Sequence, residues 1–393
     1  MLATDSLFEY IYQKVKENVA GEGDISDFEY NMLYEGGADD IPIATIDVVL
    51  SEWFELGDEV YYDDLCRMAP EELVTSSQGH DAHFYSDTGQ MERNQFEETW
   101  AQFVVGVSHT HRFFNPTARN FLDSVFEVLV VRGDELNEGC VRTVLSGEML
   151  FRARVVDSAA EARKFWENAS TEFALAPRGR ASSQRMTPAG IPAMYCALER
   201  ATCLSEIRSI TGDNVASVAF TPTAQLKLLD LTRLETIEAA KLTLLDDGYL
   251  RAIHLKAFIE SLVRKMSKPK GRRDELSYLS TQVVFEYIRL RFGEQVDGVT
   301  MPSVQTGEVG TNVVLFPEAC LIRSVSINLE DGIRGINEDE RLSANDRAAK
   351  LAVVARSMRF HRITAIETRA EDYNHFQPLF MSDIDRKRFG PRF

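Results

Sequence analysis

Several features of exported, membrane and disulfide-rich proteins are missing from this 393-residue chain. No apolar run approaches the ~18–20 residues that span a bilayer. The N-terminus has no basic start followed by an apolar core, which argues against a signal peptide. The five cysteines show neither a Cys-x-x-Cys pair nor a disulfide-like spacing. These absences predict a reduced, cytoplasmic protein without a membrane segment, a zinc motif or a disulfide framework.

Basic residues are scarce in the first quarter of the chain. Residues 1–100 contain 24 Asp and Glu against 4 Lys and Arg, a net charge of −20, whereas the rest of the chain carries a net +2. An acidic surface repels nucleic-acid phosphates, so direct nucleic-acid binding is not expected here. Two interpretations stay open for this region: a solvated surface that aids solubility, and a docking surface for a basic partner.

Common nucleotide-binding and metal-binding motifs are also missing. There is no P-loop, and no Gly-x-Gly-x-x-Gly turn follows a strand, so a dinucleotide would not be held as a Rossmann cofactor. Four histidines form two separated pairs without the Cys or carboxylate spacing of a metal site, so no metal is expected. These are His80, His83, His109 and His111. Two Arg-x4–6-His spacings, as in some nucleases, are no more than chance predicts. They join Arg356 to His361 and Arg369 to His375.

The pattern of helices and strands changes along the chain. Residues 1–140 read as an acidic, mainly helical domain. From residue 148 to residue 328, short strands mix with helices without regular βαβ alternation, which favours an α+β domain. Residues 329–393 form a C-terminal extension, in which the spacing of LSANDRAAKLAVVARSMRF (residues 342–360) predicts a helix.

The most informative stretch is RMTPAGIPAMYCALERATCLSE, residues 185–206. It places Arg185 before a turn, Tyr195 in a short apolar strand, and Glu206 eleven residues later. A guanidinium forks onto phosphate oxygens, and an aromatic ring stacks on a flat, positively charged base. A carboxylate steadies positive charge on a sugar carbon. Together these groups are what a site for cleaving a nucleotide–ribose bond needs.

Four sequence blocks carry a family resemblance. In chain order they are LFRAR, RMTPAGIPAMYCALERATCLSE, YLSTQ and DGVTMPSVQTGEVGTNVVLF. Their order and spacing resemble the RES domain, known mainly from toxins of RES–Xre-type bacterial toxin–antitoxin pairs. The N-terminal 140 residues are similar to the helical region of longer RES proteins. One departure is Thr187, where the family often has asparagine; both residues can cap a turn.

The resemblance implies a fold similar to ADP-ribosyltransferases and an activity that destroys NAD⁺, which would be a substrate and not a cofactor. It carries over to Arg152, Arg185, Tyr195, Glu206, Ser303 and Asn312. Arg154 lies two residues beyond Arg152 and therefore shares its face of the presumed strand, so either arginine is a candidate second ligand for phosphate or ribose.

These assignments define an expected reaction. Arg185 and Arg152 would hold the phosphates, Tyr195 and Ser303 would seat the nicotinamide, and Glu206 would stabilise the ribosyl cation during hydrolysis or phosphorolysis. Asn312 would bind substrate or shape the turn. Two alternatives remain: an ADP-ribosyltransferase that modifies a macromolecule, and a catalytically silent nucleotide-binding protein.

Partners are expected from both the toxin-like resemblance and the charge pattern. NAD⁺ depletion would be toxic, so an antitoxin or regulatory protein would restrain the activity. The loop at residues 264–273 carries six positive charges. It would attract an anionic dinucleotide, an acidic partner or the acidic region of a second subunit, or be an ordinary solvated loop.

Overall fold

The computed structural model describes residues 2–25, 43–89, 94–236, 242–267, 276, 278–307, 309–324 and 343–366. The helices are α1 Leu2–Asn18, α2 Ile46–Val48, α3 Tyr62–Arg67, α4 Glu71–Val74, α5 Gln95–Val105, α6 Pro116–Phe126, α7 Ala159–Glu167, α8 Ala169–Glu172, α9 Arg200–Glu206, α10 Tyr249–Ser267, α11 Leu279–Phe292 and α12 Ala344–Ala348. The strands are β1 Ala20–Gly21, β2 Ile43–Ala44, β3 Phe84–Tyr85, β4 Val130–Arg132, β5 Glu135–Leu136, β6 Val141–Val144, β7 Leu150–Val155, β8 Met194–Ala197, β9 Asn214–Pro222, β10 Leu226–Asp230, β11 Gly298–Pro302, β12 Thr311–Leu315, β13 Leu351–Val353 and β14 Arg359–Arg362. Helices and a mixed sheet coexist, which confirms the predicted α+β class with a helical N-terminal region. Within the described ranges, no helix is both long and apolar enough to cross a membrane.

The described residues fall into two compact units, each with its own core. The first contains the residues up to Gln102 together with residues 242–261. One apolar face of α1 packs into its core through Phe8, Ile11, Tyr12 and Val15, and Val19 joins them just after the helix ends. Asp87 Oδ2 and His254 Nε2 lie 2.9 Å apart in the interior of this unit. The first segment of this unit ends at Gln102, whereas the sequence pattern predicts the first domain boundary near residue 140.

The second unit is organised around a long sheet with the strand order β13-β9-β7-β8-β12-β11-β10-β6, and β14 also pairs with β9. All neighbours are antiparallel except β10 and β11, which run parallel. The pairing of β7 with β8 is brief, because a single residue pair, Phe151 with Ala197, joins them. The middle of the sheet is therefore held by sparse pairing between β7 and β8.

Alternation of side chains along these strands separates a core face from a second face. Met194, Cys196, Val313 and Leu315 belong to one buried cluster, which α7 covers with Phe165. The residues between them, Tyr195 and Val314, form a cross-strand pair and point to the other face. Asn312 and Met301 pair on that same face one step along the sheet. This second face is where the candidate site lies.

The C-terminal extension contributes strands rather than the predicted helix. The helix predicted for residues 342–360 is wrong: α12 ends at Ala348, and β13 and β14 then add to β9. Leu351 and Val353 are buried in the sheet's apolar cluster, which explains the outcome. An unpaired edge on the buried strand β9 would leave backbone groups without partners, so pairing overrides the helical spacing.

Candidate functional site

A cavity of about 350 Å³ opens over the second face of the sheet. Its charged and aromatic wall comes from Arg152, Arg185, Tyr195, Glu206, Arg208 and Tyr278. The volume falls within the ~300–1,000 Å³ range of small-molecule sites. Asn312 lines the cavity as well, so five of the seven residues proposed from the sequence meet in one place, although they are far apart along the chain.

Glu206 is the last residue of α9, the helix that packs against this face of the sheet. The next turn is sharp, because Arg208 has a φ of 49°, in the left-handed region that favours glycine. The backbone N–H of Arg208 donates to the Ser205 carbonyl at 3.3 Å. This tight ending fixes the point at which the Glu206 side chain leaves the helix and enters the cavity wall.

Two donors hold one oxygen of the Glu206 carboxylate. Ser303 Oγ and Asn312 Nδ2 each donate to Oε1 at 2.6 Å. Ser303 is fully buried and is not part of the cavity wall, so its hydroxyl orients Glu206 instead of contacting a ligand. The described part of the chain gives Oε2 no hydrogen-bond partner, which leaves that oxygen to a ligand.

The start of α9 is tied to the same strand as its end. Glu199 Oε2 accepts from Thr202 Oγ1 and from the backbone N–H of Thr311, both at 2.9 Å. Gly310 lies so close to the helix that a Cβ there would be 2.0 Å from Thr202 Oγ1. The close approach of this loop to α9 brings both Ser303 and Asn312 within reach of Glu206.

Arg185 reaches the cavity from a loop that precedes β8. The Arg185 carbonyl accepts from Thr281 Oγ1 at 2.7 Å, and the next backbone N–H, of Met186, donates to Tyr195 Oη at 2.9 Å. Neighbouring side chains thus bind both the C=O and the N–H of the peptide group that follows Arg185. The Thr187–Gly190 turn survives without the asparagine common in the family, and Gly190 has the positive φ of 88° expected in such a turn.

The two arginines of β7 have different surroundings. Arg152 lines the cavity at the weak junction between β7 and β8, where its Nη1 donates to the Tyr195 carbonyl at 3.4 Å. Its buried Nε has no partner in the described part of the chain. Arg154 does not line the cavity: it donates to the Glu172 carbonyl at 2.5 Å and lies 4.9 Å from the centre of the Phe165 ring. The structure therefore favours Arg152 over Arg154 as a ligand-binding residue.

Tyr195 presents part of its ring to the cavity while its hydroxyl is used by the protein. Burial raises the pKa of Tyr195 to about 12, although hydrogen bonds from the Met186 backbone and the Thr187 side chain act in the opposite direction. The hydroxyl therefore stays protonated and neutral at physiological pH. It supports the Arg185 loop and is not poised to act as a base.

Sequence reasoning missed two residues of the cavity wall, Arg208 and Tyr278. Arg208 lies two positions beyond the block that ends at Glu206, and Tyr278 begins the YLSTQ block, but the sequence assigned neither residue a role. With them the described wall contains three arginines and a single carboxylate. This excess of positive charge suits an anionic ligand.

Cys203 lines the cavity and Cys196, a member of the core cluster, also borders it; burial raises the pKa of each thiol to about 12. Because the thiolate is the nucleophile, both should react slowly with iodoacetamide at pH 8. We expect Cys66, which is only partly buried, to be alkylated first. Peptide mapping of native protein checks this order, with unfolded protein as the control in which all five cysteines react. Rapid labelling of Cys196 in the native state would contradict it.

The histidines have other surroundings. No group of three or more His, Cys, Asp or Glu side chains in the described ranges is placed to hold a metal ion. His361, part of one discounted nuclease spacing, lies 2.9 Å from Ser217 Oγ, and burial beside Arg200 and Arg359 lowers its pKa. The second spacing, Arg369 to His375, lies outside the described residues, as does most of the basic loop at residues 264–273.

A comparison with protein families agrees with this geometry. Residues 150–331 match the family model of the RES domain. The chain contains a RES domain. The match spans β7 to β12, the segment that supplies the polar side chains of the cavity. Among curated proteins, no match to the chain was found. At the level of the family, the RES domain indicates a toxin-like, NAD-related enzymatic role.

Proposed function

We propose that the RES domain cleaves the nicotinamide–ribose bond of NAD⁺. The observation that carries this proposal is the Glu206 carboxylate, held by Ser303 and Asn312 through one oxygen and bordered by three arginines in a cavity of suitable size. A fixed carboxylate in a partly enclosed site stabilises a developing sugar cation without having to reorganise.

In the proposed reaction, the bond between ribose C1′ and the nicotinamide nitrogen breaks. The electron pair leaves with nicotinamide, which becomes neutral, and C1′ acquires oxocarbenium character. Glu206 Oε2 faces that charge, while Arg185 and Arg152 fork onto the pyrophosphate oxygens. An acceptor oxygen then adds to C1′ and loses its proton.

Tyr195 and the two orienting residues have supporting roles in this scheme. The exposed part of the Tyr195 ring stacks against the nicotinamide cation, an interaction of about 0.5–2 kcal/mol. Ser303, which the sequence suggested as a nicotinamide contact, instead orients Glu206 from beneath the cavity wall. Asn312 also orients Glu206, from β12 and at the cavity wall.

The acceptor is tested with NAD⁺ labelled with ³²P in the adenylate phosphate. Free labelled ADP-ribose indicates hydrolysis, and its 1-phosphate, formed only in phosphate buffer, indicates phosphorolysis. Label that stays with protein or nucleic acid after denaturation indicates an ADP-ribosyltransferase. NAD⁺ that binds tightly and stays intact in every buffer, with and without cell lysate, would overturn the proposal in favour of a silent binding protein.

Replacing Ser303 by alanine tests the orienting role of this residue. A hydrogen bond to a charged group contributes about 1.5–3 kcal/mol, so we expect kcat to fall roughly 10- to 100-fold. Ser205→Ala is the matched control, because Ser205 lies next to Glu206 but donates to the Ala201 carbonyl on the solvent side of α9. Equal kcat values for the two variants would argue against the orienting role.

A further inference from the structure

The loop that carries Arg185 depends on side chains for its shape. Residues 183–187 belong to neither a helix nor a strand, so regular secondary structure does not satisfy their backbone groups. One backbone bond lies within the loop, from Gln184 N to the Thr187 carbonyl at 2.8 Å. Partly buried polar groups need partners, and any remaining partners must come from neighbouring elements.

The first turn of α11 supplies most of these partners. The Gln282 amide, 7% exposed, donates from Nε2 to the Gln184 carbonyl at 2.7 Å and to the Thr187 carbonyl at 3.2 Å. The same nitrogen lies 3.1 Å from Ser183 Oγ. Thr281, 4% exposed, donates to the Arg185 carbonyl at 2.7 Å. Two adjacent residues of one helix thus bind three carbonyls of this loop.

Tyr195 completes the arrangement from the sheet, since its hydroxyl accepts from the Met186 N–H. Backbone groups immediately before, at and after Arg185 are therefore all bonded to side chains of α11 or β8. Long side chains lose rotamer entropy when they bind a ligand, and a fixed backbone keeps the additional ordering cost small.

We infer that Gln282 and Thr281 are positioning residues that hold Arg185 ready for the phosphate groups of its ligand. This inference rests on the proposed function for the identity of the ligand, NAD⁺, but its structural part is independent of it. It also gives a role to the YLSTQ block, whose last two residues lie outside the charged and aromatic cavity wall. The hydrogen bonds from Gln282 and Thr281 to the loop at residues 183–187 are called the clamp below. Loss of the clamp should weaken binding of phosphate-bearing ligands more than it slows bond cleavage.

The kinetic test uses Gln282→Glu, which keeps the shape of the side chain but removes both amide hydrogens. We expect KM for NAD⁺ to rise roughly tenfold, as for the loss of one or two hydrogen bonds, with a smaller change in kcat. Gln295→Glu is the matched control, because the Gln295 amide also bridges two backbone groups, of Asp134 and Leu136, away from the cavity.

Dependence on Arg185 separates positioning from a general effect on folding. In an Arg185→Ala background, Gln282→Glu should change KM by less than twofold, because the clamp acts through the missing side chain. A second pair of variants, at Thr281, avoids placing a charge in the interior. Thr281→Val removes the hydroxyl and should raise KM. Thr281→Ser keeps the hydroxyl and should leave KM unchanged. A full tenfold effect of Gln282→Glu in the Arg185→Ala background would overturn the inference.

Hydrogen–deuterium exchange without ligand tests the clamp even if NAD⁺ proves not to be the substrate. Peptides covering residues 183–187 should exchange roughly tenfold faster in Gln282→Glu and Thr281→Val than in wild type or Gln295→Glu. Inactive wild type with this exchange pattern would refute the proposed reaction and leave the clamp standing. Unchanged exchange in both variants would refute the clamp, whatever the enzyme's activity.

Discussion

Exchanging Glu206 for glutamine is expected to lower kcat for NAD⁺ cleavage roughly 10³-fold, the scale of losing one preorganised electrostatic group. The glutamine side-chain oxygen can still accept from Ser303 and Asn312, so the hydrogen bonds survive while the negative charge does not. KM should change little, because the charge acts mainly on the cation formed in the transition state. Initial rates of nicotinamide release, monitored by chromatography over a range of NAD⁺ concentrations, give both kcat and KM.

Glu199→Gln is the matched control for that change. Glu199 precedes α9 and also uses a single carboxylate oxygen to bind two donors, Thr202 and the Thr311 backbone, but it does not line the cavity. It should keep kcat within a few-fold of wild type. If Glu206→Gln retained wild-type turnover, or if both variants lost it equally, the specific role assigned to Glu206 would be wrong.

Introducing a single methyl group at Gly310 is expected to disturb the whole Glu206 network. The Cβ of Gly310→Ala would lie 2.0 Å from Oγ1, 2.8 Å from Cγ2 and 2.9 Å from Cβ of Thr202, all within α9. Overpacking of this kind typically costs about 1–3 kcal/mol, which lowers the melting temperature of a unit this size by roughly 2–10 °C. Displacement of α9 would also separate Glu206 from Ser303 and Asn312, so kcat should fall more than tenfold.

Thermal unfolding and kcat measured together check this expectation. Thr202→Ala removes the two closest atoms, so the double variant with Gly310→Ala should recover part of both losses. Gly179→Ala is the control, because nothing lies within 4 Å of a Cβ at that position. A Gly310→Ala protein with wild-type stability and turnover would show that the loop can move away from α9 without consequence.

Local sequence patterns were enough to place most of the elements around the site. The apolar run that contains Tyr195, the helix that ends at Glu206 and the strand that begins with Thr311 all follow from short-range spacing. The RES motifs then selected Arg185, Glu206 and Arg152 from many residues of the same types. Each of these three lines the cavity.

Contacts between distant segments were beyond the reach of those patterns. Ser303 and Asn312 meet on one carboxylate oxygen because β11 and β12 pair in register with Met301 opposite Asn312, and because Gly310 lets α9 approach. Nothing in the sequence near Ser303 specifies that packing. The clamp formed by Gln282 has the same origin, since its partners lie nearly a hundred residues earlier.

The wrong helix at residues 342–360 illustrates how tertiary structure overrides local preference. The LAVV segment after α12 has apolar residues that suit a helix face and β-branched residues that suit a strand. The buried strand β9 offers an open edge, and Leu351 opposite Pro222 and Val353 opposite Phe220 fill it. Residues 351–353 therefore form a strand because of β9, which lies more than a hundred residues earlier in the sequence.

Cleavage of NAD⁺ by Glu206 is tested with a proton NMR time course of NAD⁺ with the purified 393-residue protein, beside Glu206→Gln at equal concentration. We expect free nicotinamide resonances to grow with wild type while the NAD⁺ nicotinamide signals fall in equal amount, and we expect the variant to leave NAD⁺ intact over the same period. Nicotinamide release at the same rate by both proteins would contradict the assigned role of Glu206. NAD⁺ left intact by folded wild type, with or without phosphate and lysate, would contradict the proposed reaction itself.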